Sequence, residues 1–470
     1  MTNIFLWASF IAAIVAQDGA QSGVKTARDG MLEVGGKRTF ILGLYENPGD
    51  DAVLDQVAKA GFNLVHATPD VAALDRLHAR GLGAWVNLGG AIDQSADREK
   101  REAALEDMAR RLAGHPAFRV WEVPDEALWN CWHLALEWRL WQEGGKLSEE
   151  MQSCADAALV AEMKGLIAKS QEHYARGEFA EGEAAADGVW AKLGKTSPHP
   201  GLNISNAPQR AATMCKGLIE GRARLKALDP AHPVWMNHAP RNTISQLAAF
   251  NAAADIVGCD IYPVPEFQTG HSDLPDRSLA SVGAYTDRMM AAAPGKPAWM
   301  VLQGFGWADL REKPTPEEKE KSRRPTYEES RFMAYDAIVH RARGILYWGT
   351  YRIERDSQLW NDLLTLVREL ADMEPILSAP DVESPIEVSV SESWGSLEKG
   401  VVALGKNVGG RTWLVVVNEY PGALRYKARG LKGMEGVFYS DNLAGVRAQV
   451  KDGALELNIR GSGVQILRPE

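Results

Sequence analysis

Cysteine is scarce in this chain of 470 residues, and its four cysteines are dispersed. None of them forms a C-x-x-C pair, so the sequence contains neither a zinc knuckle nor a thioredoxin-type redox motif. The ten histidines are dispersed as well, without the H-x-H or H-E-x-x-H arrangement that indicates a catalytic metal. We therefore expect a functional site that uses neither a metal nor a cofactor.

Several other motifs are missing. The chain has no G-x-S-x-G of an α/β-hydrolase, no P-loop, and no G-x-G-x-x-G after its first β-rich run. Lysine and arginine form no block, and the formal net charge is −10. A nucleic-acid partner requires a basic face, so these features argue against one.

Long hydrophobic runs are confined to the N-terminus. Residues 4–16 are apolar or small, but this run is shorter than the roughly 20 residues that span a bilayer. Such a run is typical of the central part of a signal peptide, with Ala16 or Ala20 before the cleavage site. No lysine or arginine precedes the run, so a buried N-terminal strand is the alternative. We predict a signal peptide at residues 1–20, a secreted or periplasmic location, and no stable membrane span.

Short apolar, β-rich runs alternate with amphipathic helical patterns along most of the chain. The eight runs lie at residues 40–44, 63–67, 83–88, 119–123, 233–237, 256–261, 298–302 and 344–348. Near-continuous apolar runs are typical of strands covered on both faces of a parallel sheet. Gly61 and Gly81 mark the ends of two intervening helical patterns. Eight strand–helix alternations predict a closed (β/α)8 TIM barrel, which we place at residues 21–375.

Two segments depart from this alternation. The interval between the fourth and fifth runs is much longer than one helix needs, so we interpret residues 128–200 as a helical insertion after strand 4. It lies on the barrel face where active sites are built. Beyond a linker, short alternating segments predict an antiparallel β-sandwich domain at residues 376–470. These segments lie at 387–391, 401–404, 412–417, 437–439, 454–458 and 463–467.

Polar residues follow nearly every predicted barrel strand, and the carboxyl ends of all eight strands converge on one face. Two carboxyl groups can cleave a glycosidic bond, while amides bind hydroxyls and aromatic rings stack on sugars. The polar strand-end residues are Glu46, His66, Asn87, Asp125, Glu126, Asn237, His238, Asp260 and Gln303, and Trp348 ends the eighth run. The set predicts a site for an oligo- or polysaccharide.

Three segments resemble those of the barrel glycoside hydrolases. Residues 120–126 (VWEVPDE) look like the strand-4 motif, in which an Asn-Glu or Asp-Glu pair supplies the acid/base. Residues 255–263 (DIVGCDIYP), which include Tyr262, look like strand 6. Residues 344–348 (GILYW) look like strand 8, whose tryptophan often forms the floor of a sugar subsite. The resemblance covers about residues 38–375 and implies an exported enzyme that cleaves O-glycosidic bonds.

Gln303 departs from this resemblance. Retaining enzymes of the largest barrel clan carry a nucleophilic glutamate at strand 7, and a neutral amide cannot attack the anomeric carbon. Three alternatives remain open. In the first, Glu126 is the general acid and Asp260 is the base or nucleophile. In the second, Asp125 orients a 2-acetamido group of the substrate and Glu126 is the acid, as in some hexosaminidases. In the third, the site binds sugar without cleaving it. We expect a raised pKa for Glu126, because Asp125 precedes it and Trp129 follows closely.

Tryptophans near the predicted acids are candidates for sugar stacking. Trp129 is the closest in sequence to Glu126, and Trp307 comes just after strand 7. The tryptophans of the insertion could equally be packing residues of its core. A helical hairpin in the insertion would also bring Cys131 and Cys154 together, and export permits disulfides, so we predict a bond between them.

Overall fold

The computed structural model describes residues 23–266, 273–393 and 397–470. The predicted signal peptide at residues 1–20 lies outside the described residues. The first described element is a small antiparallel sheet that the sequence analysis did not predict, because strands of three residues are too short to show a period of two. Its strands are β1 (Val24–Thr26), β2 (Leu32–Val34) and β3 (Lys37–Thr39).

Eight parallel strands form a closed barrel, in which β10 pairs with β11 and β11 pairs with β4 to complete the ring. The strands are β4 (Ile41–Leu44), β5 (Leu64–His66), β6 (Gly83–Asn87), β7 (Phe118–Glu122), β8 (Val234–His238), β9 (Ile256–Ile261), β10 (Ala298–Gln303) and β11 (Gly344–Trp348). Each predicted run coincides with one strand to within one residue at either end. The prediction of a (β/α)8 barrel is confirmed.

Helix boundaries follow local capping chemistry. The side chain of Asp50 accepts a hydrogen bond from the Ala52 N–H at 2.8 Å, and the helix that begins there ends at Gly61, whose φ is 102°. The helices are α1 (Asp51–Ala60), α2 (Val71–His78), α3 (Arg98–Leu112), α4 (Ala127–Leu136), α5 (Glu143–Met151), α6 (Ala157–Ala175), α7 (Phe179–Lys192), α8 (Ala207–Leu228), α9 (Ile244–Asn251), α10 (Ser281–Ala292), α11 (Pro316–Lys321), α12 (Tyr327–Val339), α13 (Gln358–Asp372) and α14 (Glu374–Leu377). Among the described residues, no helix combines the length and apolar character needed to cross a membrane.

Aromatic rings fill the centre of the barrel. The ring centroids of Trp85 and Trp235 are 5.7 Å apart, and those of Trp235 and Trp299 are 5.6 Å apart. Room for Trp235 depends on Gly258 of the next strand, because a Cβ there would lie 2.7 Å from the indole Nε1. The interior below the strand ends is therefore closely packed, and it uses several of the chain's fifteen tryptophans.

The insertion is a helical subdomain with its own small core. Helix α4 continues through a π-helical segment (Glu137–Gln142) into α5, and α6 and α7 complete the subdomain. Met163, Val189 and Trp190 are buried in its core, next to Trp138. Trp138 is therefore a packing residue, as the sequence analysis allowed for the tryptophans of this segment.

The predicted disulfide between Cys131 and Cys154 is wrong, since both thiols are free. Cys131 lies on the face of α4 that packs on α8, with its Sγ 3.8 Å from the Sδ of Met214. Cys154 follows α5 and packs at the edge of the insertion's own core. The two cysteines therefore pack in different hydrophobic cores, and the sequence did not show this.

The C-terminal domain has two antiparallel sheets, with strand orders β12-β15-β18 and β13-β14-β19-β16-β17. The strands are β12 (Glu387–Glu392), β13 (Val401–Val408), β14 (Arg411–Asn418), β15 (Leu424–Arg429), β16 (Phe438–Asp441), β17 (Val446–Gln449), β18 (Ala454–Ile459) and β19 (Val464–Pro469). The prediction of a β-sandwich domain is confirmed. Strands β15 and β17 were not predicted because arginine, lysine and glutamine side chains hide their apolar alternation.

Strand β14 joins the two domains through its alternating side chains. Leu414 and Val416 pack in the core of the β domain, whereas Val415 and Val417 pack in the core of the barrel. The barrel helix beneath this strand, α12, is buried at every position from Ser330 to Val339. Removing the β domain would therefore uncover part of this buried helix, which is mostly apolar at residues 332–339.

We predict that the barrel does not fold stably without the β domain. A fragment of residues 23–378 should be insoluble, or should unfold many degrees below the fragment 23–470, because α12 loses its cover. Solubility after expression and the thermal unfolding midpoint check this. A soluble barrel fragment with an unchanged midpoint would contradict it.

Candidate active site

The chain between β7 and α4 holds two adjacent carboxyl groups in a strained position. Glu126 has a φ of 49°, in the left-handed region that non-glycine residues rarely adopt, and such a conformation costs roughly 1–3 kcal/mol. Its backbone N–H donates to the carbonyl of Asn237 at 3.3 Å. Because α4 begins directly after Glu126, both acids lie in the short connection between β7 and α4, at the mouth of the barrel.

Asn237, on β8, connects the acids of two neighbouring strand ends. Its Nδ2 donates to Oδ1 of Asp125 at 3.0 Å and to Oδ1 of Asp260. Tyr262 donates its hydroxyl to the other Asp260 oxygen at 3.1 Å. Glu126 lies near Asp260, since the charge of Glu126 raises the pKa of Asp260 and both residues line the same cavity.

A fourth carboxyl group, Glu122, lies one layer deeper and is fully buried. Tyr45 donates to its Oε1, and Oε2 accepts from Trp85 Nε1 at 3.2 Å and from Asn87 Nδ2 at 2.9 Å. Sequence reasoning left the direction of Glu122 open and missed Tyr45. The alternation along β7 was the available indication, because Glu122 lies two residues after the inward Val120.

Burial raises the pKa values of all four carboxyl groups, and neighbouring negative charges add to the shifts of Glu122, Glu126 and Asp260. Burial, reinforced by the charge of Asp125, raises the pKa of Glu126 to about 7, and the nearby Arg241 opposes the shift. Burial and Asp125 raise the pKa of Glu122 to about 8. Burial is also the main cause of the raised pKa of Asp125, and the pKa of Asp260 is well above its ordinary value. The site can therefore hold transferable protons near neutral pH.

An aromatic wall faces these acids across a cavity of about 170 Å³. The rings of Trp348 and Tyr262 are stacked, with centroids 5.6 Å apart and planes 18° apart. The cavity is lined by Asp125, Glu126, Asp260, Tyr262, Phe305, Trp307, Leu310 and Trp348. Sequence reasoning missed Phe305 and Leu310, whose apolar side chains carry no chemical pattern. The cavity therefore has carboxyl groups on one side and the faces of aromatic rings on the other.

The structure places two predicted substrate contacts, Gln303 and His238, outside the lining of the cavity. Gln303 is fully buried, and its amide accepts from the Val264 N–H at 2.9 Å and donates to the Val264 carbonyl at 2.8 Å. It therefore holds the backbone of the β9 loop and offers no group to a ligand. His238 follows the inward Asn237 by one residue, so it points outward, and its Nε2 lies 2.8 Å from Oδ1 of Asn251 on α9.

Three further candidates lie around the cavity, outside its lining. Glu46 is buried in an ion pair with Arg355 at 2.6 Å. Asn87 supports Glu122, as described above. Trp129 has the guanidinium of Arg241 4.9 Å above its ring, and Arg241 acts in turn on Glu126. These positions place Asn87 and Trp129 next to the acids and Glu46 in a separate ion pair.

Fold and site together define a (β/α)8-barrel protein with a C-terminal β domain and a buried carboxyl cluster at the barrel mouth. No protein-family model and no curated protein matches the chain. Several solved structures, however, are similar to the chain. A glycoside hydrolase of family 5 from Bacteroides vulgatus has a TM-score of 0.54 and 12% identity, covering 95% of this chain and 93% of that chain.

Two β-galactosidases share the architecture as well. The enzyme from Bacillus circulans sp. alkalophilus has a TM-score of 0.50 at 10% identity, covering 92% of this chain and 99% of that chain. A GH42 β-galactosidase has a TM-score of 0.52 at 10% identity, covering 92% and 98%. The resemblance to barrel glycoside hydrolases is thus confirmed at the level of fold. Identities this low show a common fold and leave activity to the site.

We predict that Glu122 makes the protein less stable as the pH rises from 5 to 8. Its folded pKa of about 8 exceeds the ordinary value of 4.5, so the native state binds this proton more tightly than the unfolded chain. The resulting stabilisation is complete below about pH 4.5 and is lost as the pH rises through about 8.

Thermal unfolding of Glu122→Gln at both pH values tests this. The variant should lose less stability than the wild type between pH 5 and 8, whereas Glu181→Gln at an exposed position should behave as the wild type does. Equal losses in Glu122→Gln and the wild type would refute a buried, protonated Glu122.

Proposed function

We propose that this protein is a glycoside hydrolase that acts on oligo- or polysaccharides, with Glu126 as the general acid. The supporting observation is the environment of Glu126, whose pKa is raised to about 7 at the mouth of a barrel, beside Asp260 and an aromatic wall. A carboxyl group in this state can protonate a leaving oxygen at neutral pH. The fold shared with glycoside hydrolases of several families supports the same assignment.

Asp260 is the second acid of the proposed reaction. Hydrogen bonds from Asn237 and Tyr262 favour its ionised form and oppose the burial and neighbouring charges that raise its pKa. Glu126 protonates the glycosidic oxygen, the C–O bond breaks, and the Asp260 carboxylate attacks the anomeric carbon. Glu126 then removes a proton from the water that releases the sugar.

The spacing of the pair favours retention of configuration. Inverting enzymes separate their carboxyl groups by about 6.5–9.5 Å to admit a water molecule, and retaining enzymes by about 5–5.5 Å. Glu126 and Asp260 line one cavity and each affects the pKa of the other, and this proximity supports the shorter spacing of a retaining pair. Because Gln303 is bound to backbone, Asp260 replaces the strand-7 nucleophile in this proposal.

A second candidate function is that of a hexosaminidase that uses the 2-acetamido group of its substrate as nucleophile. The observation that favours it is the fixed position of Asp125, whose Oδ1 is held by Asn237 directly beside Glu126. In that case Asp125 orients the acetamido group and Asp260 is not attacked. The apolar run at residues 4–16 supports the further proposal that the enzyme is exported, where polymeric sugars are accessible.

We predict that Glu126→Gln lowers hydrolysis of natural glycosides by roughly 10²–10⁴-fold, because the transferable proton is lost. Aryl glycosides with good leaving groups should be much less affected, because they depart without protonation. Asp260→Asn should impair both substrate types, because it removes the nucleophile. Steady-state kinetics on matched natural and aryl glycosides check the pair of variants.

Each contrary result points to a defined alternative. Wild-type rates in Glu126→Gln would refute the assigned acid. Activity restricted to 2-acetamido glycosides, retained in Asp260→Asn and lost in Asp125→Asn, would favour the hexosaminidase. Sugar binding without turnover on any glycoside would favour a binding protein that has lost catalysis.

A row of rings leads from the site along the insertion. Trp129 stacks on His133 at 5.2 Å, and His133 contacts Trp141 at 6.1 Å. Trp141 is 65% exposed. The ring centroids of Trp129 and Trp141 are therefore at most about 11 Å apart, which is enough to contact more than one unit of a sugar chain. This row supports a polymeric rather than a small substrate.

We predict that Trp141→Ala raises KM for a polysaccharide about five-fold, the loss expected from one aromatic contact of about 1 kcal/mol. The kinetics of a small aryl glycoside should not change, because it does not reach Trp141. Leu134→Ala, at an exposed apolar position on the same helix, is the matched control. An unchanged KM for every oligo- and polysaccharide tested would exclude the row as a binding surface.

A further inference from the structure

Helix α12 and the end of β14 bring three metal-ligating side chains together at the seam between the two domains. Asp336 lies on α12, His340 directly follows that helix, and Glu419 directly follows β14. One ligand atom from each residue can be chosen so that all three lie within 4.8 Å of one another. The first two residues belong to the barrel and the third to the β domain.

Asp336 supplies a buried carboxylate oxygen that lacks a partner. The residue is fully buried, and its Oδ2 accepts from the backbone N–H of Gly283 at 2.7 Å. Its Oδ1 has no hydrogen-bond partner among the described residues and lies 4.0 Å from Nε2 of His340. An unpaired, desolvated carboxylate oxygen is costly, and a cation is one way to satisfy it.

The imidazole of His340 is oriented as a metal-binding histidine is. Its Nδ1 lies 2.9 Å from a carboxylate oxygen of Asp287 on α10, and its Nε2 lies 3.0 Å from Oε1 of Glu419. Ligating histidines commonly donate their second ring N–H to a carboxylate, which fixes the tautomer and directs the other nitrogen to the metal. Asp287 provides this support from outside the cluster.

Gly283 provides the space between the ligands. A Cβ at this position would lie 2.6 Å from Nε2 of His340 and 2.9 Å from Oδ2 of Asp336. Any other residue would therefore fill the volume beside the donor atoms. The opening depends on the absence of a side chain at this one position.

The charges around the cluster favour a dication. Asp287, Asp336 and Glu419 are three carboxyl groups around one imidazole. The nearest lysine, Lys399, forms an ion pair with Asp276 at 2.8 Å, although its charge also reaches Asp336 and Glu419. Without a metal, a protonated His340 offsets only part of the negative charge.

We propose that Asp336, His340 and Glu419 bind a divalent transition metal of the Zn²⁺ type, which ties the β domain to the barrel. One imidazole nitrogen and two carboxylate oxygens are ligands that Zn²⁺ accepts, and water can complete a tetrahedron. The site is independent of the proposed hydrolase activity, and its role is structural.

Zn²⁺ titration of residues 23–470 by calorimetry, together with thermal unfolding, tests the proposal. We expect one ion per chain and a rise of the unfolding midpoint with Zn²⁺. Glu419→Gln and His340→Gln should abolish both effects, and Asp287→Asn should weaken binding about 10–100-fold. His173→Gln, which removes a histidine paired with Glu178 in the insertion, is the matched control and should bind as the wild type does.

A spectroscopic measurement keeps the test independent of the stability of the variants. Co²⁺ bound to the wild type should give the intense visible bands of a four-coordinate ion, and Zn²⁺ should displace it. Absence of these bands, or equal Zn²⁺ affinity in Glu419→Gln and the wild type, would overturn the proposal. The cluster would then be an ion pair around a protonated His340.

Discussion

Burial of four carboxyl groups in one small space is the constraint on which the rest of the site depends. Burial disfavours each ionised form, and the charges of Asp125 and Glu126 add to the raised pKa values of their neighbours, so protons remain bound near neutral pH. The surrounding donors decide where the remaining charge rests. Asn237 and Tyr262 favour ionised Asp260, while Tyr45, Trp85 and Asn87 satisfy Glu122. Carboxyl groups with different hydrogen-bond partners therefore meet in one small space, as the proposed acid and nucleophile require.

The barrel makes this crowding possible because strand ends that are distant in sequence meet at one rim. Glu122 comes from β7, Asn237 from β8 and Asp260 from β9, each inward because side chains alternate along a strand. Below them, packed indole rings exclude water and keep the local dielectric low. The strained Glu126 and the buried acids are destabilising by themselves, so the large apolar core of the barrel must offset their cost.

The β domain and the insertion are attached to the barrel differently: the β domain shares the core of the barrel, and the insertion has a core of its own. The β domain shares its core with the barrel through Val415 and Val417 and covers the buried helix α12, which makes it part of the folding unit. The insertion has a separate core and presents Trp141 to solvent next to the site. A metal at Asp336, His340 and Glu419 would strengthen the connection between the β domain and the barrel. The row of rings on the insertion would instead bind the substrate.

The sequence by itself determined the architecture, because the eight apolar runs, the long interval after strand 4 and the alternating C-terminal segments are local patterns. It also indicated Asp125, Glu126 and Asp260, since each lies at or just after a recognisable strand end. Local patterns did not decide which way Gln303 and His238 point, that Glu122 faces the interior, or that Cys131 and Cys154 serve different cores. Those outcomes depend on barrel closure, which sets the inward side of each strand. They also depend on contacts between residues as far apart as His340 and Glu419, which are 79 positions apart in the chain and meet only when the two domains pack. Tertiary structure alone decided them, because the energy of a buried polar group depends on its partners in space.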